Sequence, residues 1–293
     1  RSMHTTLRAI LSIAFVLYLS GCLKTTRNFT INPDGSGKVT IEATMTRPDF
    51  LMGAEDKTKK QRQEELLEKV GEIIAGSEGV DVWKDVSYKD LGEGKMYFKG
   101  TAYFPDFNTV RFKGLSNTNF HLGTDGSTMR ITISDESESA SDTDNPPVEE
   151  NLPPEEIERR ADSIQQEFKM SMALMRVALE EMEETTTFKL PGTKVQADAF
   201  SCSRGTYKLS FTGKRLLKVM DSLSNERKVF IDLARYGGRP PMDDEKSRLI
   251  VWGGVKPSLI VSPGTKPLFN YAREVEGARR SYASLRKKLK IDD

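Results

Sequence analysis

Histidine and cysteine are scarce in this chain, two of each in 293 residues, and tryptophan is no commoner. A Ser-His-Asp or Cys-His arrangement would have to use His121, which sits in an alternating segment with no nucleophile motif beside it. C-x-x-C, H-E-x-x-H, G-x-S-x-G and G-x-G-x-x-G are all missing. Gly213-Lys214 is followed by Arg215 and has no glycine five positions upstream, so it is not a phosphate-binding loop. No metal or cofactor is expected. An excess of one charge is lacking too: 44 Lys and Arg against 43 Asp and Glu give a net charge of +1, without the basic field of a nucleic-acid binder. With 37% apolar and 30% charged residues the composition is ordinary for a globular protein, which removes multi-pass membrane, collagen-like and fully disordered classes. Carboxylates are plentiful. A two-carboxylate hydrolase is thus the enzyme class that survives, since the separation of such a pair is set by the fold.

What is present begins with an address. His4 and Arg8 make a short polar start, and Ala9 to Leu19 (AILSIAFVLYL) runs eleven residues without a charge. A bilayer core needs about 20 apolar residues, so this run reads as the core of a signal peptide, with Met3 as its start. It ends in Leu19-Ser20-Gly21-Cys22, the pattern of a bacterial lipobox. Small residues at 20 and 21 fit narrow peptidase subsites, and the Cys22 thiol is the nucleophile that takes up diacylglycerol as a thioether. Palmitate-type acylation adds further chains, and two or three chains hold a protein stably on a membrane where one does not. The plainer reading is a cysteine that ends an uncleaved signal or anchor helix. Cutting before Cys22 removes Arg1, Arg8 and His4, leaving 42 basic against 43 acidic residues and one histidine. With Cys22 acylated, Cys202 is the only thiol; no intramolecular disulfide can form, and Cys202 is expected to be buried. Strand-like sequence begins by Phe29, so the tether reaches only about 20 Å. The domain is expected against its membrane, with Lys24 and Arg27 at the lipid surface.

Phe29-Thr30-Ile31 and Val39-Thr40-Ile41-Glu42-Ala43 alternate on either side of Asn32-Pro33-Asp34-Gly35-Ser36-Gly37, a strand, turn and strand. Asn32 and Asp34 serve the turn; too few side-chain oxygens follow for calcium. Between Lys57 and Ser77, Leu66, Leu67, Val70, Ile73 and Ile74 recur at helical spacing. Val80 to Leu91 and Met96 to Phe104 read as a hairpin around Gly92-Glu93-Gly94, and Asn119 to Leu122 and Met129 to Ser134 as a second around Gly123-Thr124-Asp125-Gly126. Nine acids, four prolines and no basic residue between Asp135 and Glu156 make a linker or exposed loop. Pro154-Glu155-Glu156 opens a helix running to about 184, apolar nearly all round from Met170 to Leu179: a core or helix-pairing surface, or a Met-rich contact face. Strand pattern returns at Thr187 to Leu190, Lys194 to Ala197 and Thr206 to Phe211, then a short helix at Lys214 to Ser222 and a strand at Val229 to Leu233. From Lys266 onward Leu268, Tyr271, Val275, Ala278, Tyr282, Leu285 and Leu289 keep helical spacing, with seven basic and two acidic residues between Arg273 and Lys290.

The expected fold class is α+β: antiparallel β-hairpins forming a sheet with packed helices, plus the long helix and a basic C-terminal helix. The expected domains are a signal peptide at 1–21, a membrane-proximal α+β domain at 22–134, an acidic linker at 135–153, and 154–293, of which 187–212 either completes the first sheet or stays with a second unit.

The lipobox Cys22, the segment Phe29-Thr30-Ile31-Asn32-Pro33-Asp34-Gly35-Ser36-Gly37-Lys38-Val39, the aromatic hairpin ending Tyr103-Phe104-Pro105-Asp106-Phe107, and Leu190-Pro191-Gly192 followed by Tyr207-Lys208-Leu209-Ser210-Phe211 are similar to LppM-type bacterial lipoproteins. That resemblance covers Cys22 to about Phe211 and implies a sheet-rich α+β domain, with glycolipid binding suggested for some members. It carries no binding residue over. The chain has Leu209 or Phe211 where a tryptophan is common, and adds the acidic linker, the long helix and the C-terminal third.

The expected protein is a membrane-anchored extracytoplasmic lipoprotein, a non-catalytic binding or scaffold module for envelope lipid or an envelope protein; the alternative is an envelope hydrolase with a carboxylate pair. In a host with an outer membrane, Leu23 after the lipidated cysteine directs it there; otherwise it stays on the cell membrane. Arg279, Arg280, Arg286, Lys287 and Lys288 are either the solvated face of a packing helix or a contact with anionic lipid. Nucleic acid is not an expected partner.

Overall fold

Alternation of apolar residues makes the first hairpin. Strands β1 (Cys22–Ile31) and β2 (Gly37–Thr46) pair antiparallel, Phe29 opposite Val39 and Ile31 opposite Gly37. In the turn between them the Asn32 N–H donates to the Ser36 carbonyl at 2.8 Å and Gly35 takes φ +84°. Asp34 Oδ1 accepts from the Ser36 N–H and hydroxyl, which is turn chemistry, as the sequence suggests. The start of β1 differs from expectation. The strand begins at Cys22 because Thr25 and Arg27 continue the buried period as polar residues, which apolar alternation could not reveal.

This computed structural model describes residues 22–46, 58–92, 94–112, 114–115, 118–125, 127–133, 152–236 and 255–291. The signal segment with Leu19, Ser20 and Gly21, and positions 135–151 of the acidic linker, lie outside the described residues. The architecture is α+β. Along the chain follow helix α1 (Lys59–Ala75) and strands β3 (Ser77–Glu78), β4 (Val82–Gly92), β5 (Lys95–Phe104), β6 (Arg111–Phe112), β7 (Phe120–Thr124) and β8 (Met129–Ile133). Then come helix α2 (Pro154–Glu181) and strands β9 (Glu183–Lys189), β10 (Gly192–Asp198), β11 (Ser201–Ser203) and β12 (Thr206–Thr212). Helices α3 (Gly213–Ser224) and α4 (Arg227–Tyr236), strand β13 (Ser258–Pro263) and helix α5 (Tyr271–Leu289) complete the described order.

Seven strands form one sheet in the order β11-β12-β9-β1-β2-β5-β4; a four-stranded sheet runs β10-β13-β8-β7, and β3 pairs with β6. Strand β9 lies parallel to β1, with Phe188 opposite Phe29, so the late strands enter the sheet that the first hairpin begins. Those two rings stack with centroids 5.3 Å apart, and Phe107, Phe120 and Phe200 meet the Phe188 ring edge-on. Such pairs add about 0.5–1.5 kcal/mol beyond their area burial. Gly37 makes room for this cluster. A Cβ there would lie 2.5 Å from the Phe104 ring and 2.7 Å from the Thr30 carbonyl oxygen. Gly37→Ala is expected to destabilise by about 1–3 kcal/mol through overpacking, read as a lower urea midpoint; an unchanged midpoint would show that the Phe104 ring yields freely.

The chain divides into two compact units. One comprises 20–134, 183–210 and 257–293, with both larger sheets, α1 and α5; the other comprises the described parts of 135–182 and 211–256, with α2, α3 and α4. In the helical unit Ile157, Ala161, Phe168, Met172 and Leu179 of α2 pack on Leu216, Leu217 and Met220 of α3 and on Phe230, Leu233 and Ala234 of α4. That packing overturns the strand expected at Val229 to Leu233: Phe230, Leu233 and Ala234 follow the i, i+3, i+4 period and bury one helical face. Helix α2 stops at Glu181, short of the expected 184, because Met182 turns extended and Glu183 opens β9. The C-terminal stripe also starts later than expected. Leu268 precedes α5, its N–H bound by Asn32 Oδ1 at 2.9 Å.

Candidate functional site

Cys22 is the first described residue of the seven-stranded sheet. It pairs with Met45 of β2, whose own partner is Met96 of β5, which pairs in turn with Asp90 of β4. One row of the sheet thus runs from the candidate lipid-bearing residue to the end of the β4–β5 hairpin. Lys24, two residues on, lies opposite Thr44 and Glu183 and is exposed. A register irregularity between Cys22 and Lys24 breaks the regular ladder at this end.

Arg27 does not reach a lipid surface. It is 3% exposed, and both terminal nitrogens of its guanidinium donate to protein groups. Nη2 donates to Glu184 and, at 2.9 Å, to Thr186 Oγ1, while Nη1 donates to the Thr118 carbonyl at 2.8 Å. The Arg27 Cζ stands 5.2 Å from the centroid of the Phe120 ring. The register explains the placement, since Arg27 pairs with Thr186 across the parallel β1–β9 ladder, two residues from Glu184. A shallow cleft bordered by Arg27, Phe29, Phe107, Phe112, Thr118 and Phe120 opens beside it. Its one cation is already neutralised by Glu184, so the cleft presents aromatic walls and no spare charge.

The C-terminal helix is fixed at its first turn. Asn32 receives the Leu268 N–H and its Nδ2 donates to the Phe269 carbonyl at 3.3 Å. Glu274 accepts from Lys38 Nζ at 2.7 and 2.9 Å and from the Tyr103 hydroxyl at 2.8 Å. Tyr271 donates to Asp81 at 2.7 Å. Val275 and Ala278 then bury against Val82 and Tyr103. Burial raises the Tyr103 hydroxyl above its ordinary range, helped by the Glu274 carboxylate it donates to. For Glu274 burial pulls the pKa upward, but the hydrogen bonds from Lys38 and Tyr103 and the Lys38 charge outweigh it and hold the carboxyl below its usual value. A lowered folded-state pKa means that the clasp contributes in full above the unfolded carboxylate value of about 4.3 and weakens as pH falls through the folded one. Glu274→Gln should therefore remove an acid-dependent loosening of α5 below about pH 4, measured as amide exchange of 271–289 against pH; identical profiles in both proteins would refute the clasp.

The remaining expected membrane contacts lie on or near exposed turns of α5. Arg279 is exposed beside Glu276 at 3.5 Å, and Arg280 and Lys287 face solvent. Arg286 is half-buried, 6.0 Å from the Tyr282 centroid, and Lys288 Nζ sits 5.0 Å above the Tyr88 ring. Arg286, Lys287 and Lys288 all fall in the last turn, where cations complement the helix dipole by about 0.3–1 kcal/mol each. His121 is exposed on β7. Cys202 is exposed as well, contrary to expectation, because it lies on the three-residue outermost strand β11 rather than in a core strand. Among the described residues no aspartate or glutamate falls in the buried class, and no group of three or more His, Cys, Asp or Glu could hold a metal. Nor, among them, is any helix long and apolar enough to cross a membrane.

Sequence reading missed Glu184, Thr186 and Thr118 as partners of Arg27. The β1–β9 register and the segment leading into β7 bring these residues together, and no local motif marks such pairing between segments so far apart. No family model matches the chain, and no curated protein matches it. Among solved structures it is similar to the folded domain of LppM from Mycobacterium tuberculosis, at 9% identity over 83% of this chain and 90% of that one, with a TM-score of 0.31, a likeness too slight to carry weight on fold or function.

Proposed function

We propose that this chain is a bacterial lipoprotein, exported and held on the outer face of an envelope membrane by diacylglycerol on Cys22, where it acts as a non-catalytic binding or scaffold module for envelope lipid or a neighbouring envelope protein. The observation that carries the reading is Leu19-Ser20-Gly21-Cys22 directly after an eleven-residue uncharged run. The ion pairs of Arg27 with Glu184 and of Lys38 with Glu274 support the non-catalytic part, since these charges hold strands and helix. The test is intact mass and N-terminal peptide mass of protein extracted in detergent from its native membrane. A mature chain beginning at Cys22 with diacylglycerol is expected, and a chain retaining residues 3–21 with a free Cys22 thiol would overturn the reading. Small molecules or proteins that copurify through the same extraction identify the ligand class.

A further inference from the structure

We infer that the outer face of the seven-stranded sheet, turned away from Phe29 and Phe188, is a binding surface for an extended acidic polysaccharide. The inference goes beyond the anchor proposed for Cys22 and does not depend on it, since it uses only the sheet.

Strand alternation assigns the face. Residues opposite one another across a ladder point to the same side. Thr187, Asn28, Thr40, Thr101 and Lys84 stand in one row from β9 to β4, and Thr185, Thr26, Glu42, Lys99 and Ser87 in the next. Thr40 Oγ1 lies 3.0 Å from Thr101 Oγ1, and Thr185 Oγ1 lies 3.5 Å from Ser210 Oγ of β12. Lys208, two residues from Ser210, shares its side of β12 and is exposed. Lys189, two residues beyond Thr187, is placed in the same way on β9. From β12 to β4 the sheet crosses five strand gaps, a reach of about 24 Å at about 4.8 Å each.

The two rows contain no apolar side chain. In the rows that flank them Val82 and Tyr103 are buried against α5, and half-buried Tyr97 donates its hydroxyl to Glu42 at 2.8 Å. Insertion into a bilayer needs apolar side chains, and the core of a protein interface is depleted in lysine. Single-stranded nucleic acid needs open aromatic rings on which to stack. A hydroxyl-rich polymer needs none of these, because threonine and serine hydroxyls both donate and accept.

Charge selects an acidic polymer. Glu274 answers Lys38, Glu42 lies 3.5 Å from Lys99, and Lys24 stands opposite Glu183. Lys89, Lys189 and Lys208 remain exposed and Lys84 half-buried, with exposed Asp85 at the β4 irregularity set against them. That surplus sits at both ends of the rows, on β12 and β9 and again on β4, with hydroxyls between. A small anion meets one end only. An extended polyanion laid across the strands meets both, and weak contacts along one chain reinforce each other. Threonine alone is ordinary on a strand; lysine-ended rows without apolar contacts give this face its meaning.

The experiment uses the full chain extracted in a non-ionic detergent, with linear polygalacturonate as the probe. Its fully methyl-esterified form serves as the uncharged control and oligodeoxythymidylate of similar length as the nucleic-acid control. Binding is expected to polygalacturonate, about tenfold weaker to either control and about tenfold weaker at high salt. Lys89→Glu, Lys189→Glu and Lys208→Glu combined should weaken it about tenfold as well, with an unchanged circular dichroism spectrum. Thr40→Val with Thr101→Val keeps the charge and the β-propensity, and should weaken binding about threefold through the lost hydroxyls. No binding, equal or tighter binding of the thymidylate or the ester, or an unchanged affinity in either variant would overturn the inference. The mass of the N-terminal peptide decides the anchor separately, whichever way the polymer behaves.

Discussion

Cys22→Ala is expected to reduce incorporation of labelled fatty acid to background and to leave a precursor that still carries residues 3–21. The cause is one atom. Thioether formation needs the Cys22 sulfur, and alanine offers no nucleophile in its place. Each buried methylene contributes about 0.8 kcal/mol to membrane attachment, so losing two or three acyl chains changes membrane affinity by many orders of magnitude, far more than any surface lysine could restore. The fold should survive, because the pairing of position 22 with Met45 uses backbone groups that alanine retains. Loss of label with an unchanged unfolding transition is therefore the expected combination. Unchanged labelling would mean that acylation occurs elsewhere or not at all.

The same residue shows how much could be read without a structure. The run before Cys22 and the small residues beside it are local, and the expectation of an exported lipoprotein rests on them alone. The first hairpin was equally legible, because Val39, Ile41 and Ala43 are all buried on a strict period of two. Legibility failed where burial is polar. Thr25, Arg27, Thr185 and Thr186 occupy core positions of the sheet, so β1 began before the alternation did and β9 began four residues before the strand expected at Thr187. It failed again at 229–233, where the β-prone Val229, Phe230 and Ile231 are helical because Phe230 and Leu233 pack on α2. The basic stretch of α5 stands out in the sequence, but its course along β4, from Asp81 toward Tyr88, does not.

Arg27 tests the polar core directly. Arg27→Met keeps an unbranched chain of similar length and removes the charge, leaving Glu184, only 17% exposed, without its cation. Breaking a buried pair from one side costs about 3–5 kcal/mol; the residual exposure of Glu184 places this case near the lower end. Removing both charges is different in kind. Once Glu184 is also made apolar, as in Arg27→Met with Glu184→Leu, no uncompensated carboxylate remains, and buried pairs replaced by packed apolar groups are often neutral. The Thr118 carbonyl and Thr186 hydroxyl still lose a donor in the double variant, at about 1 kcal/mol for each bond. Urea unfolding followed by tryptophan fluorescence should therefore show the single variant losing about 3 kcal/mol and the double recovering part of it, a coupling of at least about 1 kcal/mol across the pair. If Arg27→Met leaves the transition where it was, Arg27 is a solvated strand residue after all. Its place at the lipid surface would then be open again, because a guanidinium that costs nothing to remove is not holding β1 to β9.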